Sequence, residues 1–300
     1  MIETIELHNG VRMPIIGFGT YGIPNEKLRQ SLFTALLNEC RLFDTAHCYC
    51  NEGFLGDELD YIFKNTNYNR SDVFLTTKIG DKLDRNGFPQ GAYFYNSNSC
   101  LNRNHKEVVY SQVYESLKNL RTDYIDLLLI HWPYNDCLEE IWTTMELLLK
   151  KGIVRAIGVS NCKNRHINRI MDNCIIKPMV NQIFYSPINT QKETYEYCKE
   201  HKIQLESYSP MMCLIKDDHL KSSEIISSLS RKYKKTPAQI ILRWNIDKGV
   251  IPIPKSSNNS RIHLNYDVFD FKLSSAEVKS IDTFNVNYQY LPESRYCPGY

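Results

Sequence analysis

Eight short apolar runs alternate along this chain with stretches whose apolar residues recur every three or four positions. The runs cover 15–18, 41–43, 73–77, 125–130, 154–159, 179–183, 204–207 and 250–253. Between them, Val109, Val113, Leu117 and Leu120, or Leu138, Ile141, Met145, Leu148 and Leu149, each make one apolar face on a helix. A strand that leads through a helix to the next strand requires a crossover, and crossovers make parallel neighbours. Eight such units predict an α/β fold, a closed (β/α)8 TIM barrel. A doubly wound open sheet shares the rhythm, but Gly17-Phe18-Gly19 is only a fragment of the glycine fingerprint that opens a dinucleotide fold of that kind. Ahead of the barrel, the runs 4–7 and 13–16 flank Asn9-Gly10, the signature of a short N-terminal β-hairpin.

No Pro/Gly-rich linker divides the 300 residues, so one domain over 1–300 is expected. The formal net charge of +2 supplies no global field for nucleic acid or an anionic membrane, and any anion site must be local. Glu3 and Glu6 stand where a secretory leader needs basic and then apolar residues, and no run is long enough for a membrane span. The expectation is a cytoplasmic protein, monomeric by default. Ten cysteines without a secretory context read as free thiols, and Cys48-x-Cys50 is not a metal knuckle, so no metal is expected. The rhythm breaks over 80–105, rich in Asn, Gly, Tyr and Phe; this reads as a long inserted loop with Phe88, Tyr93, Phe94 and Tyr95 as contact surface.

Barrels carry their chemistry where strands end at the C-terminal face, and here those positions are polar. Asp44, with Tyr49 just beyond, follows the second run, Lys78 the third, His131 the fourth and Ser160-Asn161 the fifth. Gln182, Tyr208 and Lys255 mark the sixth, seventh and eighth. A tyrosine donates protons poorly at neutral pH unless a neighbouring ammonium favours its phenolate, which Lys78 could do for Tyr49. Asp44 would hold Lys78 charged, and a neutral His131 could bond a carbonyl oxygen. Singly, Asp44 and Lys78 could be a structural ion pair, His131 a core histidine and Tyr49 a packing residue; jointly they describe a proton-relay site.

The local words carrying these residues are Phe43-Asp44-Thr45-Ala46, Thr76-Thr77-Lys78 and Leu129-Ile130-His131-Trp132-Pro133. With them come Gly158-Val159-Ser160-Asn161, Val180-Asn181-Gln182, Tyr208-Ser209-Pro210, Thr236-Pro237-Ala238-Gln239 and Ile253-Pro254-Lys255-Ser256-Ser257. In these the chain resembles the aldo-keto reductase family over nearly its whole length. The resemblance implies catalytic Asp44, Tyr49, Lys78 and His131, a small carbonyl substrate, and NADPH. It implies that Ser160, Asn161 and Gln182 bond the nicotinamide carboxamide and that Tyr208 stacks on the ring. Thr20, Tyr21, Asp44 and Ser209 would also line the cofactor, Lys255, Ser256 and Arg261 would take the 2′-phosphate, and Asn265 the adenine. Leu264 stands where the family often has glutamate. Tyr21, Tyr49, His131 and Trp132 would wall the substrate pocket. A short segment after Tyr208 and a short tail suggest an open pocket and a loosely belted cofactor. A second reading is a regulatory subunit of this fold with weak turnover, as in potassium-channel β subunits.

Overall fold

A computed structural model describes residues 3–80, 82–83, 89–90, 104–134 and 137–291. The chain opens with β1 (Thr4–Glu6) paired antiparallel to β2 (Arg12–Pro14). Gly10, at φ +85°, supplies the left-handed residue of the connecting turn. Then follow β3 (Gly17–Gly19), α1 (Asn25–Leu37), β4 (Leu42–Asp44), α2 (Glu52–Asn65), β5 (Phe74–Ile79), the pair β6 (Lys82–Leu83) and β7 (Pro89–Gln90), and α3 (His105–Leu120). Next come β8 (Ile125–Ile130), α4 (Leu138–Lys150), β9 (Val154–Ser160), α5 (Asn164–Met171), β10 (Val180–Phe184), α6 (Lys192–Glu200) and β11 (Gln204–Tyr208). The last part runs through α7 (Cys213–Lys216), α8 (Asp218–Ser222), α9 (Glu224–Tyr233), α10 (Pro237–Asp247), β12 (Ile251–Ile253), α11 (Asn259–Tyr266) and α12 (Ser275–Asp282).

Strands β3, β4, β5, β8, β9, β10, β11 and β12 lie side by side in that order, and every pair is parallel. The first and last meet where Gly19 N–H donates to Pro254 O at 3.0 Å, which closes the (β/α)8 barrel. The barrel strands are buried on both faces along almost all of their length, by the lumen and by the helices, which is why the runs are largely apolar rather than alternating. The predicted helical stripes turn inward: Val109, Val113, Leu117 and Leu120 are buried, as are Leu138, Ile141, Met145 and Leu148. Gly56 lets α2 and α3 touch; a Cβ there would stand 2.0 Å from Asn119 O. The word Thr236-Pro237-Ala238-Gln239 is a helix start: the Thr236 hydroxyl caps Gln239 N while Gln239 Oε1 accepts from Thr236 N.

Two expectations need adjustment. Residues 15–16 belong neither to the hairpin nor to the first barrel strand, because β2 ends at Pro14 and β3 starts at Gly17. Asp44, Lys78, Ser160 and Tyr208 lie within their strands rather than after them. Most of the expected 80–105 loop, with Phe88, Tyr93, Phe94 and Tyr95, lies outside the described residues, as does the end of the tail. No described helix is long and apolar enough to cross a membrane.

The N-terminal end of the barrel is tied by Asp126. Its carboxylate accepts from Arg155 Nη1 at 2.7 Å, Arg70 Nη2 at 2.8 Å and Leu75 N at 3.0 Å. Arg70 also reaches the carbonyls of Val73 and Tyr124. Asp126→Ala should therefore cost about 3 kcal/mol, because a buried N–H and a largely buried guanidinium lose their acceptor. Arg155 is half-exposed and can return to water, so Arg155→Ala should cost less than about 1 kcal/mol. Urea unfolding of the two variants checks the difference; equal losses would refute the assignment.

Candidate active site

At the C-terminal mouth of the barrel, β4 ends in Asp44 and the chain turns through Thr45 and Ala46 into a single 3-10 turn, His47–Tyr49. This brings Tyr49 back over the strand ends. Cys50, left-handed at φ 55°, closes the turn, and Asn51 ties it down by bonding Thr20 O at 3.1 Å and accepting from the Thr45 hydroxyl at 2.9 Å. Lys78 enters from β5 with only 1% of its surface exposed. Its ammonium donates to Asp44 Oδ1 at 2.7 Å, Asp44 Oδ2 at 2.8 Å and Thr45 O at 2.8 Å, and lies 3.4 Å from the Tyr49 hydroxyl. The buried ammonium is thus fully hydrogen-bonded, the condition under which a buried ion pair is tolerated.

Lysine was expected to draw the tyrosine's pKa down. The balance runs the other way: burial, and then the charge of Asp44, hold the Tyr49 phenol well above its ordinary 10. The Tyr49 phenol therefore keeps its proton. His131, just past β8, is held well below its ordinary 6.5 by burial and by Lys78, so it is neutral. Its Nδ1 lies 3.1 Å from Cys48 Sγ. Burial pushes that thiol up to about 12, so it keeps a proton that it can donate to Nδ1, and in that tautomer Nε2 of His131 carries the N–H. The Tyr49 and His131 rings meet edge to face at 5.7 Å, and Tyr21 approaches Tyr49 at 4.9 Å.

A second group of polar side chains shares the mouth. Asn161, left-handed at φ 59°, donates from Nδ2 to His131 O at 3.0 Å and accepts from the Tyr208 hydroxyl at 2.8 Å. The Ser160 hydroxyl donates to Gln182 O. Gln182 spans the lumen from β10, with Nε2 donating to Asp44 Oδ2 at 2.8 Å and Glu206 Oε2 at 3.1 Å. Its Oε1 makes no hydrogen bond among the described residues. A third group follows β12. Asn258 caps α11 by accepting from Arg261 N, Arg261 Nε reaches Ser256 Oγ at 3.5 Å, and Lys255 and Arg261 are exposed. Two cations and a hydroxyl at a helix N-terminus suit an anion.

The remaining expected residues fall around these groups. Thr20 is buried with its hydroxyl donated to Asp44 O at 2.9 Å, Ser209 is left-handed just after Tyr208, and Asn265 is buried on α11. Tyr21 is 66% exposed and Trp132 is buried. Sequence reasoning missed Cys48 as a partner of His131, Asn51 as a brace of the turn, and Glu206. The last carried a signal, an acid two residues before Tyr208 inside a run that a barrel buries on both faces.

A family model described as the aldo/keto reductase family matches residues 15–286. The glyoxal reductase of Bacillus subtilis is 37% identical over 94% of this chain and 93% of its own length. The methylglyoxal reductase DkgA of Escherichia coli K12 is 37% identical over 92% and 91%. Among solved structures, a Bombyx mori aldo-keto reductase in complex with NADP superposes with a TM-score of 0.85 at 31% identity, covering 98% of each chain. The chain belongs to the aldo-keto reductase family.

Proposed function

We propose that this 300-residue chain is one domain, acting in the cytoplasm as a monomer, that reduces small aldehydes and ketones to alcohols with NADPH. The observation that carries the reading is the packing of Asp44, Lys78, Tyr49 and His131 against one another at the mouth of the barrel. Ser160, Asn161 and Gln182 would hold the nicotinamide carboxamide and Tyr208 its ring, with Thr20, Tyr21 and Ser209 beside them. Lys255, Ser256 and Arg261 would take the 2′-phosphate, and Asn265 the adenine. When bound, the reduced nicotinamide supplies the hydride that reaches the carbonyl carbon.

Tyr49 supplies the proton to the carbonyl oxygen as negative charge develops there. Its burial keeps the phenol protonated until that moment, and Lys78, 3.4 Å away, stabilises the phenolate left behind. Asp44 holds Lys78 in place and balances its charge. His131, with Nδ1 committed to Cys48, has its Nε2–H left to bond and orient the carbonyl oxygen. Tyr21 and Trp132 would wall the pocket. Glyoxal and methylglyoxal, named in the two bacterial relatives, are the first substrates to try. Those reductase names favour an enzyme over a regulatory subunit.

The test is the loss of NADPH absorbance with glyoxal, methylglyoxal and aromatic aldehydes, repeated with NADH. Turnover is expected with NADPH. Arg261→Ala should raise KM for NADPH by about ten- to a hundredfold, the worth of a charge-assisted hydrogen bond to phosphate, with KM for NADH nearly unchanged. Equal losses for both cofactors would remove Arg261 from the phosphate site, and no turnover with any aldehyde would overturn the enzyme reading.

A further inference from the structure

One buried carboxyl group at the mouth has no task in the chemistry above. Glu206, in the middle of β11, has 0% of its surface exposed. Its register partner on β10 is Gln182, and the two side chains meet where Gln182 Nε2 donates to Glu206 Oε2 at 3.1 Å. The same nitrogen donates to Asp44 Oδ2 at 2.8 Å. A primary amide has two N–H groups, and here each goes to a different carboxyl. With the amide turned over, its oxygen would face an ionised Asp44 oxygen at contact distance with no proton between them. The orientation is therefore decided by the network: nitrogen towards the two acids, Oε1 left as an acceptor.

We infer that Glu206 is a positioning residue whose hold on the second N–H of Gln182 keeps Oε1 presented to an N–H donor on the bound cofactor. The site would thereby select a nicotinamide whose ring substituent can donate a hydrogen bond. This rests on the reading that Gln182 meets the cofactor's carboxamide. Asp44 alone is a weaker anchor, because the same carboxylate also serves Lys78 and takes only one of the amide hydrogens. Burial, and next the charge of Asp44, push the Glu206 carboxyl up to about 8. Near neutral pH it is thus an uncharged acid whose carbonyl oxygen accepts from Gln182, and it adds no second charge beside Asp44.

The experiment compares NADPH with its 3-acetylpyridine analogue, in which an acetyl group replaces the carboxamide and the N–H donors are gone. Affinities come from quenching of protein fluorescence, so the readout does not depend on turnover, and thermal unfolding confirms that each variant is folded. Wild type should favour the carboxamide by about tenfold, the worth of one well-placed hydrogen bond. Glu206→Gln keeps a carbonyl acceptor for Gln182 and should keep that preference. Glu206→Leu removes it, and the preference should fall to about two- to threefold, as in Gln182→Ala. A preference left intact in Glu206→Leu but lost in Gln182→Ala would overturn the role of Glu206 alone. No preference in wild type, or its survival in Gln182→Ala, would overturn the contact between Gln182 and the carboxamide, and this inference with it.

Discussion

Tyr49→Phe should lower kcat for aldehyde reduction by about 10²- to 10⁴-fold, the usual worth of a positioned general acid, while NADPH binding stays within about twofold of wild type. The substitution removes one oxygen and little else. The ring keeps its contacts with Tyr21 at 4.9 Å and His131 at 5.7 Å, and Lys78 keeps both Asp44 oxygens and Thr45 O, so no buried charge is stranded. The loss should therefore fall on the chemical step and not on folding. Single-turnover mixing of NADPH-loaded protein with methylglyoxal, beside a fluorescence titration of NADPH, separates the two. A variant that keeps more than about a tenth of the wild-type rate would assign the proton to another group.

Glu206→Gln should make the folded protein more stable, and increasingly so as pH rises. Below about pH 4.5 the carboxyl is protonated in both folded and unfolded chains and contributes no difference. Between 4.5 and about 8 the unfolded chain has released this proton while the folded chain still holds it. The unfolded state then binds fewer protons, so this group lowers stability by about 1.4 kcal/mol per pH unit across that window. The accumulated cost approaches about 5 kcal/mol near pH 8 and then levels off. The glutamine variant has no proton to release and escapes it, while titrating groups that do not interact with Glu206 cancel in the comparison. Urea midpoints of the two proteins at several pH values between 4 and 9 give the curve. A difference that does not change with pH would show that Glu206 is ionised in the folded state.

The two Glu206 experiments ask different things of one residue. Its conversion to glutamine keeps the acceptor and removes the titration, so cofactor selection should hold while the pH dependence of stability changes. That separation follows from a chain of contacts running Lys78, Asp44, Gln182 and Glu206 across the lumen from β5 to β11. The proposed chemistry uses the first three members; the fourth is what keeps the third facing the right way.

What the chain's order of residues determined by itself was whatever depends on near neighbours. Period and turn chemistry are local, so eight apolar runs, their amphipathic partners and the Asn9-Gly10 hairpin were legible. So were the strand-end positions of Asp44, Lys78 and His131, since in a closed parallel barrel every strand delivers its C-terminal end to the same mouth. Beyond the expected pair of Asp44 and Lys78, tertiary structure alone decided which side chains meet. Asp44 and Gln182 are 138 positions apart and bond only because barrel closure sets their strands facing across one lumen. The same closure makes Glu206 a partner and no longer an isolated acid in a strand, gives His131 a thiol at Nδ1, and spends the Thr20 hydroxyl on Asp44 O. The direction of the Tyr49 shift was decided there too: a lysine expected at the same mouth argues for a lowered pKa, but burial and a facing carboxylate, both products of packing, outweigh it.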